Sequence, residues 1–176
     1  MKEDELKRCL TMYGEIKLTQ DKWWELYEYV KNLIQELGLI PNYIGVQSKT
    51  FKSGKILTIY RNENKLKKAL DSGDDLNSLE VMSLPQNFKQ AAFDYDASIL
   101  IYKDFEPHHI TIAVRDKDRF NKLNIDKVVD KLKSYLKFTS GQIYELSISE
   151  DPLIYSIKGK PVSNVKGLNI IKEFKS

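Results

Sequence analysis

An α+β domain is the fold class this chain predicts: a mostly antiparallel or mixed sheet with two long amphipathic helices packed on it. Three observations predict it. Thr19 to Gly38 carries a helix start signal, an apolar stripe and a stop. A second helical stripe of the same design begins near residue 125. Each lies between short apolar runs that alternate as strands do, and helices laid on one side of a sheet would bury both stripes. No low-complexity linker or composition break divides residues 1–176, which read as a single domain.

The elements follow in order. Residues 13–17 predict a short strand. Thr19 predicts the first N-cap, because its hydroxyl can accept from an orphan amide of the first turn. Asp21 sits where the helix dipole favours an anion. Trp23, Leu26, Tyr27, Val30, Leu33, Ile34 and Leu37 follow at steps of three and four and share one face. Gly38 suits the left-handed C′ position and Pro41 blocks continuation. Ile44–Ser48 and Ile56–Tyr60 predict strands with a turn at Ser53-Gly54. Asn62 predicts the cap of a short helix through Leu66 and Leu70, broken at Asp71–Asp75.

Leu79–Leu84 predicts a strand stopped by Pro85, and residues 85–92 a loop. Tyr95–Tyr102 and His109–Arg115 predict an antiparallel pair, with one parity of the second strand facing the core. Asn124 predicts the cap of the second helix, whose stripe runs Ile125, Val128, Val129, Leu132, Tyr135 and Leu136 to a stop at Ser140-Gly141. Ile143–Ile148 and Leu153–Ile157 predict a last strand pair. Leu168, Ile170 and Ile171 predict a tail apolar enough to dock.

Bulk properties exclude several function classes. The 28 basic and 25 acidic residues leave a formal charge of +3, spread evenly over both halves, so the chain is no polyelectrolyte arm and nucleic acid is a disfavoured partner. With Cys9 as the one cysteine there is no intramolecular disulfide, which fits a reducing compartment. The charged start, Met1 to Glu5, has no apolar run behind it, and no stretch reaches the ~18–20 apolar residues of a membrane span. The expectation is a cytoplasmic protein without a membrane partner.

No motif specifies catalysis. Walker, dinucleotide-binding and Gly-x-Ser-x-Gly patterns are absent. His108 and His109, adjacent on a strand, point to opposite faces and cannot readily share a metal ion. His109-Ile110-Thr111 matches half of the signature of two-histidine phosphoesterases, but the chain has no third histidine to begin the other half. A structural or surface role for the pair is the favoured reading. Asp94 and Asp96 flank Tyr95 and would share a strand face, where they could hold a cation, do acid–base work or face water. Asp71, Asp74, Asp75 and Glu80 form a second acidic group whose spacing does not fit an EF-hand. For both groups a solvated loop is favoured over a metal site, and neither metal nor cofactor is expected.

Lys49, Lys52 and Lys55 surround Phe51, an arrangement that either contacts phosphate and stacks a base or protects a hairpin edge. Trp24 lies beyond the centre of the first helical stripe, where it covers the stripe's border or anchors a partner protein.

The layout resembles the immunity proteins of bacterial polymorphic toxin systems. The resemblance rests on the Trp-bearing amphipathic helix from Trp23-Trp24 to Leu37, the strand-rich middle around Leu79–Leu84 and Pro85, and Phe93-Asp94-Tyr95-Asp96. It implies a small cytoplasmic domain without catalytic residues that binds one cognate protein toxin and blocks it sterically. Trp24, Asp71, Asp74, Asp75, Asp94 and Asp96 are then the expected partner-binding residues. Such inhibitors are often acidic; this chain is slightly basic, which argues against a basic nuclease as the target. Two alternatives stand beside this reading. One is a nucleic-acid-binding accessory protein using Lys49, Lys52, Lys55 and Arg61. The other is a metal-dependent enzyme using the Asp94/Asp96/His109 neighbourhood.

Overall fold

Strand β1 (Leu6–Glu15) enters the centre of a sheet whose other members arrive much later in the chain. The computed structural model describes residues 5–176; the charged start Met1–Asp4 lies outside them. After β1 come helix α1 (Gln20–Glu36), strands β2 (Tyr43–Gln47) and β3 (Ile56–Thr58), helix α2 (Ile59–Asp71) and strand β4 (Ser78–Ser83). A short helix α3 (Ala91–Asp94) precedes the pair β5 (Ala97–Tyr102) and β6 (His109–Val114). Helices α4 (Lys117–Phe120) and α5 (Ile125–Leu132) lead to β7 (Lys137–Ser147), α6 (Pro152–Ser156) and β8 (Asn169–Lys175). The eight strands form one sheet in the order β3-β2-β4-β5-β6-β1-β7-β8, with every neighbouring pair antiparallel. The α+β class is therefore as predicted. Among the described residues no helix is long and apolar enough to cross a membrane.

Helix α1 follows its sequence signals closely. Thr19 accepts from the Lys22 amide. At the other end Gly38 has φ 79°, its amide donates to Gln35 O, and the Leu39 amide donates to Ile34 O. That pair of bonds is a Schellman motif, which satisfies carbonyls the helix leaves orphaned. The stripe from Trp23 to Leu37 is buried against the sheet.

Several boundaries differ from expectation: β7 begins at Lys137, so Ser140-Gly141 lies within a strand rather than ending a helix, α3 occupies part of the expected 85–92 loop, and four further differences have a local reason. β1 starts at Leu6 rather than at residue 13, because a strand flanked on both sides can bury Lys7, Cys9 and Thr11 on one face and Leu10 and Met12 on the other. α2 starts at Ile59, so the predicted strand ends at Thr58, and the Asn62 side chain bonds Thr58 O instead of capping. α5 ends at Leu132; Tyr135 and Leu136 remain buried, but a turn held by Tyr135 N–H to Leu132 O delivers the chain into β7. The predicted strand Leu153–Ile157 is helix α6: Asp151 accepts from Leu153 N at 2.9 Å and Pro152 occupies the first helical turn, where its missing amide is harmless.

Candidate functional site

The two faces of the sheet carry different chemistry. On the helix side, paired residues run Val81, Ile99, Ile112, Leu10 and Ile143 across five strands. On the opposite side, the neighbouring row runs Glu80, Leu100, Thr111, Thr11, Gln142 and Glu173. The next row on that side runs Ser78, Tyr102, His109, Tyr13, Ser140 and Lys175. A strand presents alternate residues to opposite faces, so these rows follow from register alone. All six residues of β6 are buried, His109 and Thr111 included, which corrects the expectation that only one parity would be.

Helix α6 lies over the middle of the polar face. Ser156 Oγ sits 3.3 Å from Thr11 Oγ1 and 3.4 Å from Thr111 Oγ1. Thr11 Oγ1 also bonds Thr111 Oγ1 at 2.7 Å and Tyr144 Oη at 2.8 Å. Tyr13 Oη donates to Ser156 O at 2.9 Å. The Tyr155 ring packs 4.6 Å from the Tyr144 ring, and its hydroxyl bonds Gln142 Oε1. Gln142 in turn donates to Glu173 at 3.0 Å. A connected set of buried hydroxyls holds a helix too short to be stable alone.

With α6 across its centre, the polar face has a cavity on either side. The larger, about 750 Å³, lies toward β8 and is lined by Tyr13, Gln142, Tyr155, Phe174, Lys158 and Lys175 among others. The smaller, about 180 Å³, lies toward β4 and β5 and is lined by Glu80, Tyr95, Ser98, Tyr102, Thr111 and Asp151 among others. Glu80 accepts from Ser98 Oγ at 2.7 Å, and burial pushes its carboxyl pKa up. Beyond it, Lys7 is buried to 1% exposure and donates to Tyr95 Oη at 2.9 Å and to Glu150 O at 2.5 Å. Desolvation lowers its pKa. Cys9 lies on the same face, and burial pushes its thiol up to about 12, which leaves it protonated and a poor nucleophile at neutral pH.

The expected partner-binding residues do not form one surface. Trp24 is half-buried, 5.0 Å from the Tyr27 ring and beneath Lys67 Nζ, which pairs with Asp71 at 2.8 Å. Asp75 accepts from Trp23 Nε1 at 3.1 Å and pairs with Lys103 at 2.7 Å. Asp74 accepts from Ser48 Oγ and Thr50 N and so fixes the 48–51 turn. Asp94 accepts from Gln90 N and Lys89 N, both at 2.8 Å, and those amides hold its carboxyl below the usual range. Asp74 and Asp75 precede β4, at the Ser78 end of the sheet; Asp94 and Asp96 precede β5, at the Ala97 end. Those ends are five residue steps apart, or ~17 Å at strand rise. The acidic groups are thus two sites, and most of their members already serve local turns and pairs.

The same spacing separates His109 from Asp94 and Asp96, because His109 pairs with Tyr102 while Val114 pairs with Ala97. The structure does not assemble that proposed metal neighbourhood. Among the described residues no group of three histidine, cysteine or carboxylate side chains could hold a metal ion. His108 accepts from Ile16 N through Nδ1, and His109 Nδ1 bonds Pro107 O. Phe51 is buried beneath Lys65, so it is not free to stack a base.

Sequence reasoning misses Lys7, Tyr155 and Gln142, and it places Glu80 with an acidic loop rather than on the polar face of the sheet. One signal for Glu80 is present: it takes the polar position of the alternation Leu79-Glu80-Val81, which sets it on the strand's other face and apart from the acidic loop before it. No protein-family model matches the chain, and no curated protein or solved structure matches it.

Proposed function

We propose that the protein is a cytoplasmic binding protein of the immunity kind, which docks on a cognate bacterial toxin and blocks it sterically. The observation that carries this reading is the open margin of the sheet at β8. Among the described residues strand β8 has one hydrogen-bonded neighbour, β7, and no strand paired on its other edge. Ile170, Ile171 and Val162 are exposed there at 45%, 46% and 65%. Bare edges invite an added strand, and soluble proteins normally protect them. The large cavity opens beside this margin, so backbone pairing and a recess for side chains occur together.

Charge selects the partner. Between residues 158 and 175 the chain carries Lys158, Lys160, Lys166, Lys172 and Lys175 against Glu173 as the sole acid. Of these lysines only Lys160 is paired among the described residues, with Glu150. An acidic segment of the toxin fits this margin, which replaces the acidic contact surface expected from Asp71 to Asp96. Complementary charge of this sort sets on-rate and specificity more than raw affinity.

The test is affinity capture from native lysate at moderate salt, comparing the wild type with a Val162→Asp, Ile171→Asp double variant. The reading requires one stoichiometric partner whose toxic activity the purified protein abolishes, and which the double variant fails to hold. Equal retention by the variant would remove β8 from the interface. Nucleic acid that leaves as salt rises would favour the accessory-protein alternative, because phosphate contacts release counterions.

A further inference from the structure

The segment that leaves α6 holds a lysine where a glycine is the usual residue. The Lys158 amide donates to Tyr155 O at 3.1 Å and the Gly159 amide donates to Ile154 O at 2.8 Å, the same pair of bonds that closes α1. In α1 the left-handed C′ position belongs to Gly38; in α6 it belongs to Lys158, with φ 57°. Among the described residues Lys158 is the one non-glycine residue with positive φ. Its Cβ makes that conformation unfavourable, and residues kept in such conformations concentrate at ligand sites. Lys158 lines the larger cavity of the polar face.

The rest of that wall fits one kind of guest. Lys160 and Lys175 line it too, and Glu173 is its one carboxylate. Lys160 is matched by Glu150 from outside the wall, and Glu173 accepts from Gln142 Nε2 at 3.0 Å. Set against these two acids, the three lysines leave one positive charge. Tyr13 and Tyr155 stand in the same wall with their hydroxyls turned inward, Tyr13 Oη donating to Ser156 O and Tyr155 Oη to Gln142 Oε1. What they present to a guest is ring surface, which favours a flat apolar body. The volume of about 750 Å³ corresponds to about 25 waters at their liquid volume, room for a one- or two-ring molecule. A cation would meet the excess of positive charge, and a small anion without a ring would leave the tyrosines uncovered.

We propose that this cavity binds a small aromatic carboxylate, its anion held by Lys158 and Lys175 and its ring set against Tyr13 and Tyr155. The site does not rest on the toxin-blocking reading: it is measured on the isolated protein, and either can fail while the other stands.

The experiment is thermal unfolding and calorimetric titration with benzoate, 2-naphthoate and indole-3-carboxylate as probes. Acetate supplies the charge without the ring, and 2-naphthylmethylamine supplies the ring with the opposite charge. At about tenfold over Kd a ring carboxylate should raise Tm by ~3–5 °C, as ligand linkage requires for a chain of this size. Lys158→Gly should fold with an equal or higher Tm, because glycine takes the left-handed conformation without strain, and should weaken the carboxylate by about tenfold. Lys175→Gln should weaken it in the same direction. Lys172 pairs with Ile143 and so faces the other side of the sheet; Lys172→Gln should leave the affinity unchanged. The proposal is overturned if none of the three ring carboxylates binds, if acetate or the amine binds as tightly, or if Lys172→Gln weakens binding as much as Lys175→Gln. It is overturned as well if Lys158→Gly binds as the wild type does, or if that variant loses stability and affinity together, the mark of a lysine placed for the fold.

Discussion

The helix-covered face of the sheet and the opposite face are built from the same strands and do different work. Leu10 and Thr11 are neighbours in β1, both fully buried, yet Leu10 joins an apolar core under α1 and Thr11 joins a hydroxyl network under α6. The first face holds the fold through apolar area, which is large and non-directional. The second is held by directional bonds that must each find a partner, and it encloses space. Apolar packing therefore concentrates on one side of the sheet and enclosed, polar-lined space on the other.

The largest effect expected from this contrast is in the core. Ile112→Ala, on the helix side of β6, should destabilise by ~2–5 kcal/mol in urea unfolding, the range for large-to-small changes at fully buried sites. A loss well under 1 kcal/mol would break the division between faces. On the polar side, Tyr144→Phe removes one hydroxyl from Thr11 but leaves Thr111 and Ser156 in place, so its cost should be nearer ~1 kcal/mol. Equal losses from these two substitutions would show the hydroxyl network to be as much a foundation as the apolar core.

The polar face should also respond to pH. Desolvation lowers the His109 pKa below 6.5, so below that value the unfolded chain binds a proton that the folded protein resists. Stability contributed by neutral His109 is complete above 6.5 and declines as pH falls. Urea midpoints measured from pH 7.5 to 5.0 should decline, and His109→Gln should flatten that decline. Glu80 has the opposite sign, since its raised pKa makes stability fall as pH rises from 4.5 through its folded value. A decline that survives in His109→Gln would move the pH sensitivity off this face. The smallest effect on stability belongs to the margin: Val162→Asp should shift unfolding by no more than ~0.5 kcal/mol, because the side chain is exposed. Its predicted consequence lies in partner binding alone.

The two faces were also unequally legible in the sequence. Helix α1 could be read nearly to the residue, since Thr19, the stripe from Trp23 to Leu37 and Gly38 are local signals that tertiary structure did not override. The apolar rows of β4, β5 and β6 were visible as strands for the same reason. The polar face was not, because a buried Thr11 or Lys7 reads as a solvent residue until the strand is known to lie between two others. α6 was misread as a strand from Leu153, Ile154, Tyr155 and Ile157, although Asp151-Pro152 is a good helix start. That the acidic residues divide between two ends of the sheet is carried by no local pattern: the distance between Asp75 and Asp94 is fixed by which end of the sheet each loop occupies.

The central position of β1 has a consequence in time. Its partners lie far along the chain, Arg8 against Val114 and Leu10 against Ile143. On the ribosome this strand emerges before the rest of the sheet, but neither neighbour exists until most of the remaining chain has been made. Closing such long loops is slow, and refolding should fall in the millisecond-to-second range of non-local sheet proteins. Meanwhile Leu10 and Met12 alternate on a strand with both edges unpaired, the condition under which nascent chains associate wrongly. The strand that completes the centre of the sheet is thus the segment most in need of shelter during synthesis, and stopped-flow refolding of the wild type beside Leu10→Ala would time its arrival.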